Sequence, residues 1–408
     1  MISVEEAQGL VRSGVQPLGT ETIALANSLA NPGGRVLAET PKARISHPSQ
    51  TVSAMDGYAV RAADVPTVPS TLTVIGESAA GHPFDGEVSE GQAVLIFTGA
   101  QVPPGADTVV IQEDVDRNGA EKSDTISVRE IEAGRHIRAK GQDFSEGDQL
   151  LIPPLRLAAR HIGLLAAADR PWLQVHRQPR VAILSTGDEI VLPGEPRGPA
   201  QIVSANGPAL SAFVTQRGGI PVHLGVVKDD QDALIAMAEA AKDCNMLITS
   251  GGVSVGDRDL VRKAFESAGL EVGFHKIAMR PGKPLMFGHL GDTPVLGLPG
   301  NPVSALVCAL LFASIAIDRL QGLPGDAPKP VPATLGADLA ANGKRQDYMR
   351  AVLSRDDDGG WCATPIFMQD SSMIAALAQS AALIVRPMGA PAAKTGETVP
   401  IIPLDGLL

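Results

Sequence analysis

The middle of the chain, residues 181–320, alternates short apolar runs with amphipathic stretches, and this alternation restricts the possible folds most strongly. Four of the runs are typical of buried strands: VAILS (181–185), IPVHLGVV (220–227), MLITS (246–250) and PVLGL (294–298). The stretches between them have helical periodicity and polar starts at Asn206, Asp229-Asp230 and Asn301-Pro302. Strands that alternate with helices predict a doubly wound parallel sheet with right-handed crossovers.

Polar motifs follow each of the four predicted strands: STGDEI, KDD, SGGVSVGDRD and LPGNP. Because the carboxyl ends of parallel strands share one edge of a sheet, we expect these motifs to meet in one crevice. The glycine turn at 251–252 offers backbone N–H groups to a phosphate, whereas Asp257 and Asp259 would repel one. A divalent cation such as Mg²⁺, bridging carboxylates and phosphates, would reconcile the two features. Taken alone, Asp229 is explained more simply as a helix cap, and Asp188 as a turn residue, than as ligands.

A basic segment, residues 272–291, contains no acid but includes Lys276, Arg280 and Lys283, although the chain has a net charge of −11. A solvated basic face is the simpler interpretation of a charge cluster. In the RPGKP motif, however, two prolines and a glycine restrict the backbone beside two cations, which favours oxyanion binding. The negative net charge itself argues against a general affinity for nucleic acid or for anionic membranes.

The flanking regions are different in character. Residues 45–150 contain β-type runs such as TLTVIG (71–76) and TISVREI (125–131), and residues 155–168 are predicted to form one connecting helix. A proline-rich linker after residue 322 precedes a small β domain. We therefore predict a multidomain α/β plus β fold with a central doubly wound α/β domain. The expected boundaries are 1–44 with 148–178 for an N-terminal connecting region, 45–147 for a β-rich lobe, 179–325 for the α/β domain, and 326–408 for the C-terminal β domain.

Other sequence signals exclude several classes of protein. The cysteines Cys244, Cys308 and Cys362 form no CxxC pair, so neither a disulfide framework nor a zinc site is expected. The first residues, MISVEEAQGL, do not form a signal peptide, which favours the cytoplasm. The apolar run 302–317 is short for a membrane span and predicts a buried helix. Neither a Walker loop nor a GxGxxG fingerprint is found.

Several motifs together resemble those of the molybdopterin molybdenumtransferase family, called MoeA in bacteria and similar to the E domain of gephyrin. They are SAMDGYAVRAAD (53–64), FTGAQVPPGADTVVIQED (97–114), STGDEI (185–190), TSGGVSVGDRD (249–259), MRPGKP (279–284) and GLPGNPVSA (297–305). The resemblance covers nearly the whole chain. It implies a four-part protomer, and a homodimer in which each active cleft is assembled between protomers. It also implies conversion of adenylylated molybdopterin and molybdate to molybdenum cofactor and AMP, with Mg²⁺.

The resemblance also implies roles for particular residues. The catalytic set comprises Asp56, Thr98, Asp143, Glu189, Asp229 and Asp259, of which Glu189, Asp229 and Asp259 would ligate Mg²⁺. Residues expected to bind the pterin phosphate and shape its site are Gly251, Gly252, Ser254, Lys276, Pro299, Asn301 and Pro302. The molybdate site would consist of Arg280, Lys283, Ser304, Arg350 and Ser371. Expected partners are transient contacts with the molybdopterin adenylyltransferase and with enzymes that accept the cofactor, but neither nucleic acid nor a membrane.

Two departures from the family pattern and two alternative functions deserve mention. Thr51-Val52 stands where members often have Asp-Asn, and Asn31-Pro32-Gly33-Gly34 lengthens a loop. One alternative is the adenylyltransferase that makes the activated pterin, because it shares a GGVSVGD-type domain; the additional MDGYAV segment argues against it. The other is a non-catalytic scaffold that binds molybdopterin, against which the retained acids and the RPGKP cations argue.

Overall fold

The computed structural model describes residues 1–29, 33–117, 124–252, 260–356 and 359–408. Ser254, Asp257 and Asp259, together with Asn31 and Pro32 of the lengthened loop, lie outside these described residues. The chain divides into two compact units. The first consists of Met1–Glu39, Pro153–Ala158 and Gln174–Leu408, and the second of Thr40–Ile152 and Ala159–Leu173.

The N-terminal part of the chain begins with helix α1, Val4–Gly14, which is capped by its own sequence. The Ser3 hydroxyl accepts a hydrogen bond from the Glu6 amide at 3.0 Å, and two acids in the first turn match the helix dipole. Strands up to residue 178 are β1 (Thr20–Ala24), β2 (Val36–Leu37), β3 (Val52–Ser53), β4 (Gly57–Val60), β5 (Ser70–Ser78), β6 (Gln92–Ile96), β7 (Thr108–Ile111), β8 (Val115–Arg117), β9 (Thr125–Val128), β10 (Ile137–Arg138), β11 (Leu155–Arg156) and β12 (Trp172–His176).

The second unit is built on a β-sheet with the strand order β7-β4-β6-β5-β9-β8. Strand β4 lies inside it, and all four of its residues are buried because both faces of the sheet are covered. Tyr58 and Val60 belong to the apolar core on one face, and Ala59 to the core on the other. The β-rich lobe predicted for this region is therefore present.

The single helix predicted over residues 155–168 is wrong at its start. Leu155 and Arg156 instead pair with Leu37 and Val36 in an antiparallel ladder, and helix α2 covers Ala159–Ala167. Local periodicity could not reveal the strand, because its partner is more than a hundred residues away.

The central α/β domain follows. Its strands are β13 (Arg180–Thr186), β14 (Ile190–Val191), β15 (Ile202–Val203), β16 (Ile220–Val227), β17 (Met246–Ser250), β18 (Leu270–Phe274), β19 (Met279–Arg280), β20 (Met286–Leu290) and β21 (Thr293–Leu298). Its helices are α3 (Asn206–Gln216), α4 (Gln231–Ala241), α5 (Leu260–Ser267), α6 (Pro302–Cys308) and α7 (Ser314–Leu320), with a π-helical turn at Ala309–Ala313.

The main sheet of this domain has the order β16-β13-β17-β21-β20-β18. The first four strands are mutually parallel, which confirms the doubly wound sheet predicted from sequence. Strands β20 and β18 extend it in antiparallel fashion, through the short hairpin turn at Gly291-Asp292. The sheet is therefore mixed. The four strands predicted from sequence pair in parallel, whereas β18 and β20, which were not predicted, pair in antiparallel fashion.

The helical stretch Pro302–Leu320 is long and apolar enough to cross a membrane by length and composition alone. However, 83% of its most apolar window is buried inside the protein. Its side chains belong to the main core, together with residues from α1 and the central sheet. The stretch is therefore a core helix, as predicted.

The C-terminal domain is a small closed barrel. Its strands are β22 (Val331–Leu335), β23 (Gln346–Arg355), β24 (Trp361–Pro365), β25 (Ala382–Arg386) and β26 (Thr398–Pro403), with helix α8 at Ile374–Ala378. The order β23-β24-β22-β26-β25 closes because β25 also pairs with β23. Strand β19 of the basic segment joins the barrel by pairing in parallel with β23, so that Arg280 lies opposite Asp347.

Candidate functional site

A cleft of about 420 Å³ lies at the carboxyl edge of the central sheet. The parallel ladders place Ser185 beside Ser250, and Ser250 beside Leu298, so the loops after three strands start at the same level. We call this the sheet-edge cleft; its lining includes Ser185, Thr186, Glu189, Ser204, Asn206, Ser250, Gly251, Gly300, Asn301, Pro302 and Ser372. Described residues of three of the four polar motifs therefore share this cleft, whereas the KDD motif (228–230) is not in its lining and reaches the first motif through the bond from the Asp229 amide to Asp188.

The glycine turn at this edge permits a close backbone approach. Gly251 has φ +94°, and a Cβ there would lie 2.4 Å from the Thr186 carbonyl oxygen. The adjacent Thr186 is 2% exposed, and its hydroxyl has no hydrogen-bond partner among the described residues. A buried unpaired hydroxyl is costly, so a polar ligand such as a phosphate fits this position. Gly252 follows with φ +64°, and a Cβ there would lie 2.7 Å from the Thr186 hydroxyl oxygen.

Two asparagine amides join the loops around the cleft. Asn206 is not the cap that the sequence predicted, because Ala205 occupies the N-cap position and α3 begins at Asn206. Its Nδ2 instead donates to Ser250 Oγ at 2.6 Å and to the Gly300 carbonyl at 2.7 Å. Asn301, at the N-cap of α6, donates from Nδ2 to Ser371 Oγ at 2.8 Å. These side chains therefore link four segments that are distant in sequence.

Replacing Asn206 with alanine is expected to lower the free energy of unfolding by about 1–3 kcal/mol, because two acceptors at the cleft lose their donor. Asn206→Asp keeps the size of the side chain but removes the donors, and should behave similarly. Urea unfolding of both variants tests this, and a change below about 0.5 kcal/mol in each would contradict it.

A second cleft of about 500 Å³ adjoins the first and shares Gly300 and Asn301 with it. We call it the basic cleft; its lining includes Arg280, Gly282, Lys283, Pro299, Ser304, Arg345, Gln369, Asp370 and Ser371. Four of the residues predicted to hold the oxyanion thus come together here. Ser304 is in the first turn of α6, where the helix N-terminus favours negative charge.

The RPGKP loop has a fixed backbone, as its composition predicted. Gly282 has φ +110°, and a Cβ there would lie 2.4 Å from Cys308 Sγ in the core helix. Lys283 follows directly, and no carboxylate of the described residues lies within 4.0 Å of its ammonium group. The loop therefore holds an unpaired cation at a defined position in the basic cleft.

Neither Arg350 nor Lys276 lines either of the two clefts. Arg350 is 1% exposed; its Nη2 donates to the carbonyls of Met368 (3.1 Å) and Asp370 (2.9 Å), and its Nη1 to that of Met373 (3.0 Å). It thus lies beneath the loop 368–373 that positions Ser371. The Lys276 carbonyl accepts from the Ile2 amide at 3.3 Å, which places this residue beside the N-terminal segment.

The acids of the central domain form an electrostatically strained group. The Asp229 amide donates to Asp188 Oδ1 at 3.3 Å, and Glu189 lines the sheet-edge cleft. Partial burial, with the neighbouring charges of Asp188 and Glu189, raises the pKa of Asp229. Within the described residues, no group of three or more histidines, cysteines and acids is arranged to hold a metal. Since Asp259 lies outside them, the Mg²⁺ ligand set stays a prediction.

The remaining predicted acids belong to the second unit. Asp56 Oδ1 accepts from the Thr98 amide at 2.7 Å and from the Thr98 hydroxyl at 2.8 Å, which lowers the pKa of Asp56. Asp143 lines a separate cleft of about 630 Å³ with His47 and Arg138. Asp56 and Thr98 therefore act as a bonded pair, while the catalytic roles of all three residues stay predictions.

Sequence reasoning missed Asn206 as a bridge, Arg345 in the lining of the basic cleft, and Asp347 as the partner of Arg280. Asp347 is 3% exposed and forms an ion pair with Arg280. The sequence did contain a weak signal for Arg345, since Lys344-Arg345 is a basic pair in an acidic chain. Its proximity to RPGKP depends on the long-range pairing of β19 with β23.

Comparison with known proteins agrees with this architecture. Family models match in three consecutive regions: the MoeA N-terminal region (domain I and II) at residues 2–168, a probable molybdopterin binding domain at 182–319, and the MoeA C-terminal region (domain IV) at 332–404. Together they define a MoeA-type protein, which confirms the predicted fold class.

Full-length relatives narrow this class further. The chain is 36% identical to the molybdopterin molybdenumtransferase of Nostoc sp., over 99% of this chain and 94% of the relative. It is 34% identical to that of Haemophilus influenzae, over the full length of both. The crystal structure of a molybdopterin biosynthesis moeA protein from Pyrococcus horikoshii OT3 superposes with a TM-score of 0.82 at 28% identity, over 98% of this chain and 99% of the other. The chain belongs to the molybdopterin molybdenumtransferase family.

Proposed function

We propose that this chain inserts molybdenum into molybdopterin in the biosynthesis of the molybdenum cofactor, with adenylylated molybdopterin and molybdate as substrates and AMP as the second product. The observation that supports this most directly is the pair of adjoining clefts. One presents a glycine turn and a buried free hydroxyl suited to phosphate, and the other presents fixed cations suited to an oxyanion. Their shared wall at Gly300 and Asn301 would bring both substrates together.

The reaction balances in water. Hydrolysis adds one water across the phosphoanhydride and releases AMP. Molybdenum then forms two bonds to the dithiolene sulfurs and loses one oxo ligand, which leaves as water with the two thiol protons. The coupled reaction therefore consumes one water in the hydrolysis and releases one water in the insertion. This chemistry requires that the dithiolene sulfurs of the pterin and the oxyanion meet, so both substrates must be bound at the same time.

The main physical obstacle is repulsion between anions. Two unit charges about 4 Å apart cost about 4 kcal/mol at an effective dielectric near 20. Lys283 in the basic cleft and the N-terminus of the core helix would offset this cost. Because both are rigidly placed, they need no reorganisation when the molybdate arrives.

A Mg²⁺ ion would suit the acids at the sheet edge, because hard carboxylate oxygens are its usual protein ligands. We propose Glu189, Asp229 and Asp259 as its holders. The clustering of negative charge that raises the pKa of Asp229 supports this, since a cation would relieve it. When bound, the ion would polarise the phosphoanhydride.

The pH dependence of stability tests this charge cluster. A raised folded-state pKa means that the contribution of Asp229 to stability is present at low pH and is lost as pH rises above the ordinary value of 3.8. Asp229→Asn should therefore gain stability relative to the wild type as pH rises above 3.8, by only a few tenths of a kcal/mol because the group is only partly buried and solvent screens its charge. Mg²⁺ should reduce the difference. Thermal unfolding checks this, with Asp85→Asn as control; a difference that does not vary with pH would contradict it.

The homodimer, the cytoplasmic location and the transient contacts with the adenylyltransferase and cofactor-accepting enzymes are part of the same proposal, supported by the family membership. Light scattering of the purified chain would report a mass near twice that of the 42.3 kDa protomer. A monomer at micromolar concentration would contradict the dimer.

The function is tested by incubating the chain with adenylylated molybdopterin, molybdate and Mg²⁺, and then adding a cofactor-free molybdoenzyme. Recovery of that enzyme's activity is expected. The adenylyltransferase alternative predicts instead that molybdopterin and ATP are converted to adenylylated molybdopterin. The scaffold alternative predicts pterin binding without either product. The full-length relatives favour insertion over both.

A further inference from the structure

We infer that Arg345 is an oxyanion-binding residue of the basic cleft, and that it supplies the positive charge that Asp347 removes from Arg280. The inference rests on the proposed function, because molybdate is the oxyanion in question. It is derived from the pairing of β19 with β23, which joins the basic segment to the C-terminal barrel.

Arg280 is not a free cation. The β19–β23 ladder sets it opposite Asp347, and its Nη2 forms an ion pair with Asp347 Oδ2. The Asp347 side chain is 5% exposed, whereas that of Arg280 is 59% exposed. A buried carboxylate must be paired, so the guanidinium is held in place and part of its charge and hydrogen-bonding capacity is committed.

Arg345 lies just before β23, two positions ahead of Asp347. It lines the basic cleft, and no carboxylate of the described residues lies within ion-pair distance of its guanidinium. The peptide unit between Arg345 and Gln346 is held in place by two hydrogen bonds. Asn342 Nδ2 donates to the Arg345 carbonyl at 2.9 Å, and the Gln346 amide donates to the Ala278 carbonyl at 2.8 Å. A free cation is therefore attached to a rigid support.

The charges around the cleft show why Arg345 matters. The cations are Arg280, Lys283 and Arg345 in the lining and Arg350 beneath it, and the anions are Asp347 and Asp370. Asp370 stays ionised, because bonds from the Ser372 hydroxyl and amide lower its pKa. Four cations and two carboxylates give this region a net charge of +2, which balances the two negative charges of molybdate. Without Arg345 the net charge would be +1.

The test compares Arg345→Gln with Lys344→Gln, a neighbouring exposed lysine outside the cleft lining. Molybdate affinity is measured by equilibrium dialysis, and the Km for molybdate by AMP release. Arg345→Gln is expected to weaken molybdate binding and raise its Km by about tenfold, with kcat at saturating molybdate within about twofold. Lys344→Gln should change neither by more than about twofold, since distant surface charges are screened. Arg345→Lys, which keeps the charge, should bind within about threefold of the wild type.

Thermal unfolding establishes that each variant is folded. The inference is wrong if Arg345→Gln binds molybdate as the wild type does, or if Arg345→Lys is as weak as Arg345→Gln. In either case molybdate-dependent AMP release by the wild type would leave the proposed function standing. If the wild type releases AMP equally well without molybdate, the proposed function itself fails.

Discussion

Lys283→Gln is expected to lower the rate of molybdate-dependent AMP release by about 100-fold or more, the usual loss when a preorganised charge at a reacting centre is removed. Lys283 lies in the basic cleft on a loop whose backbone is packed against the core helix at Cys308. Its ammonium group has no carboxylate within 4.0 Å among the described residues, so its charge is available to the oxyanion.

The stability of Lys283→Gln should change little, because no hydrogen bond or ion pair of this side chain is lost from the described structure. The loss should therefore appear in catalysis and in molybdate affinity, and not in the melting temperature. Lys344→Gln removes a nearby cation outside the cleft and serves as the control. A loss of less than about fivefold in Lys283→Gln would show that other groups hold the oxyanion.

Arg350→Ala is expected to lower the free energy of unfolding by about 3 kcal/mol or more, because three backbone carbonyls lose a buried donor and a cavity is left. Those carbonyls belong to the loop 368–373. Arg350→Lys should restore little, since one ammonium group cannot reproduce the planar fork of a guanidinium. Both variants should also weaken molybdate binding, because the same loop positions Ser371 in the basic cleft.

Arg355→Ala is the matched control on the same strand. Arg355 is exposed, donates to the Gly359 carbonyl at 2.9 Å and lies 3.6 Å from the centre of the Trp361 ring. Its loss should cost no more than about 1 kcal/mol. If urea unfolding shows Arg350→Ala to be no less stable than Arg355→Ala, Arg350 does not hold the loop. A loss of molybdate affinity at unchanged stability would instead indicate direct contact with the oxyanion.

Much of the central fold could be predicted because its strands are continuous apolar runs, and the inner strands β13 and β17 are buried on both faces. The runs 220–227 and 246–250 coincide with β16 and β17, and their order along the chain sufficed to place the loops on one edge. Elements defined by distant partners could not be predicted. The two-residue strand β11 depends on Val36-Leu37, and nothing in its own sequence distinguishes it from the start of a helix.

The residues of the candidate site also divide into those that the sequence could predict and those that it could not. Gly251 and Asn301 follow predicted strands, so topology alone brought them together. Arg345 and Asp347 come from the barrel, and their position depends on the register of β19 against β23. Arg350 shows a further limit: the family motif identifies the residue but not its burial, and the structure places its guanidinium beneath the loop.

The central claim is that phosphoanhydride cleavage and molybdenum insertion are coupled across two adjoining clefts. The most direct measurement is AMP release from adenylylated molybdopterin, with Mg²⁺, as a function of molybdate concentration, in the wild type and in Lys283→Gln. The account predicts release that requires molybdate, saturates with it and is nearly abolished in the variant. Release that proceeds equally without molybdate, or equally in the variant, would contradict it.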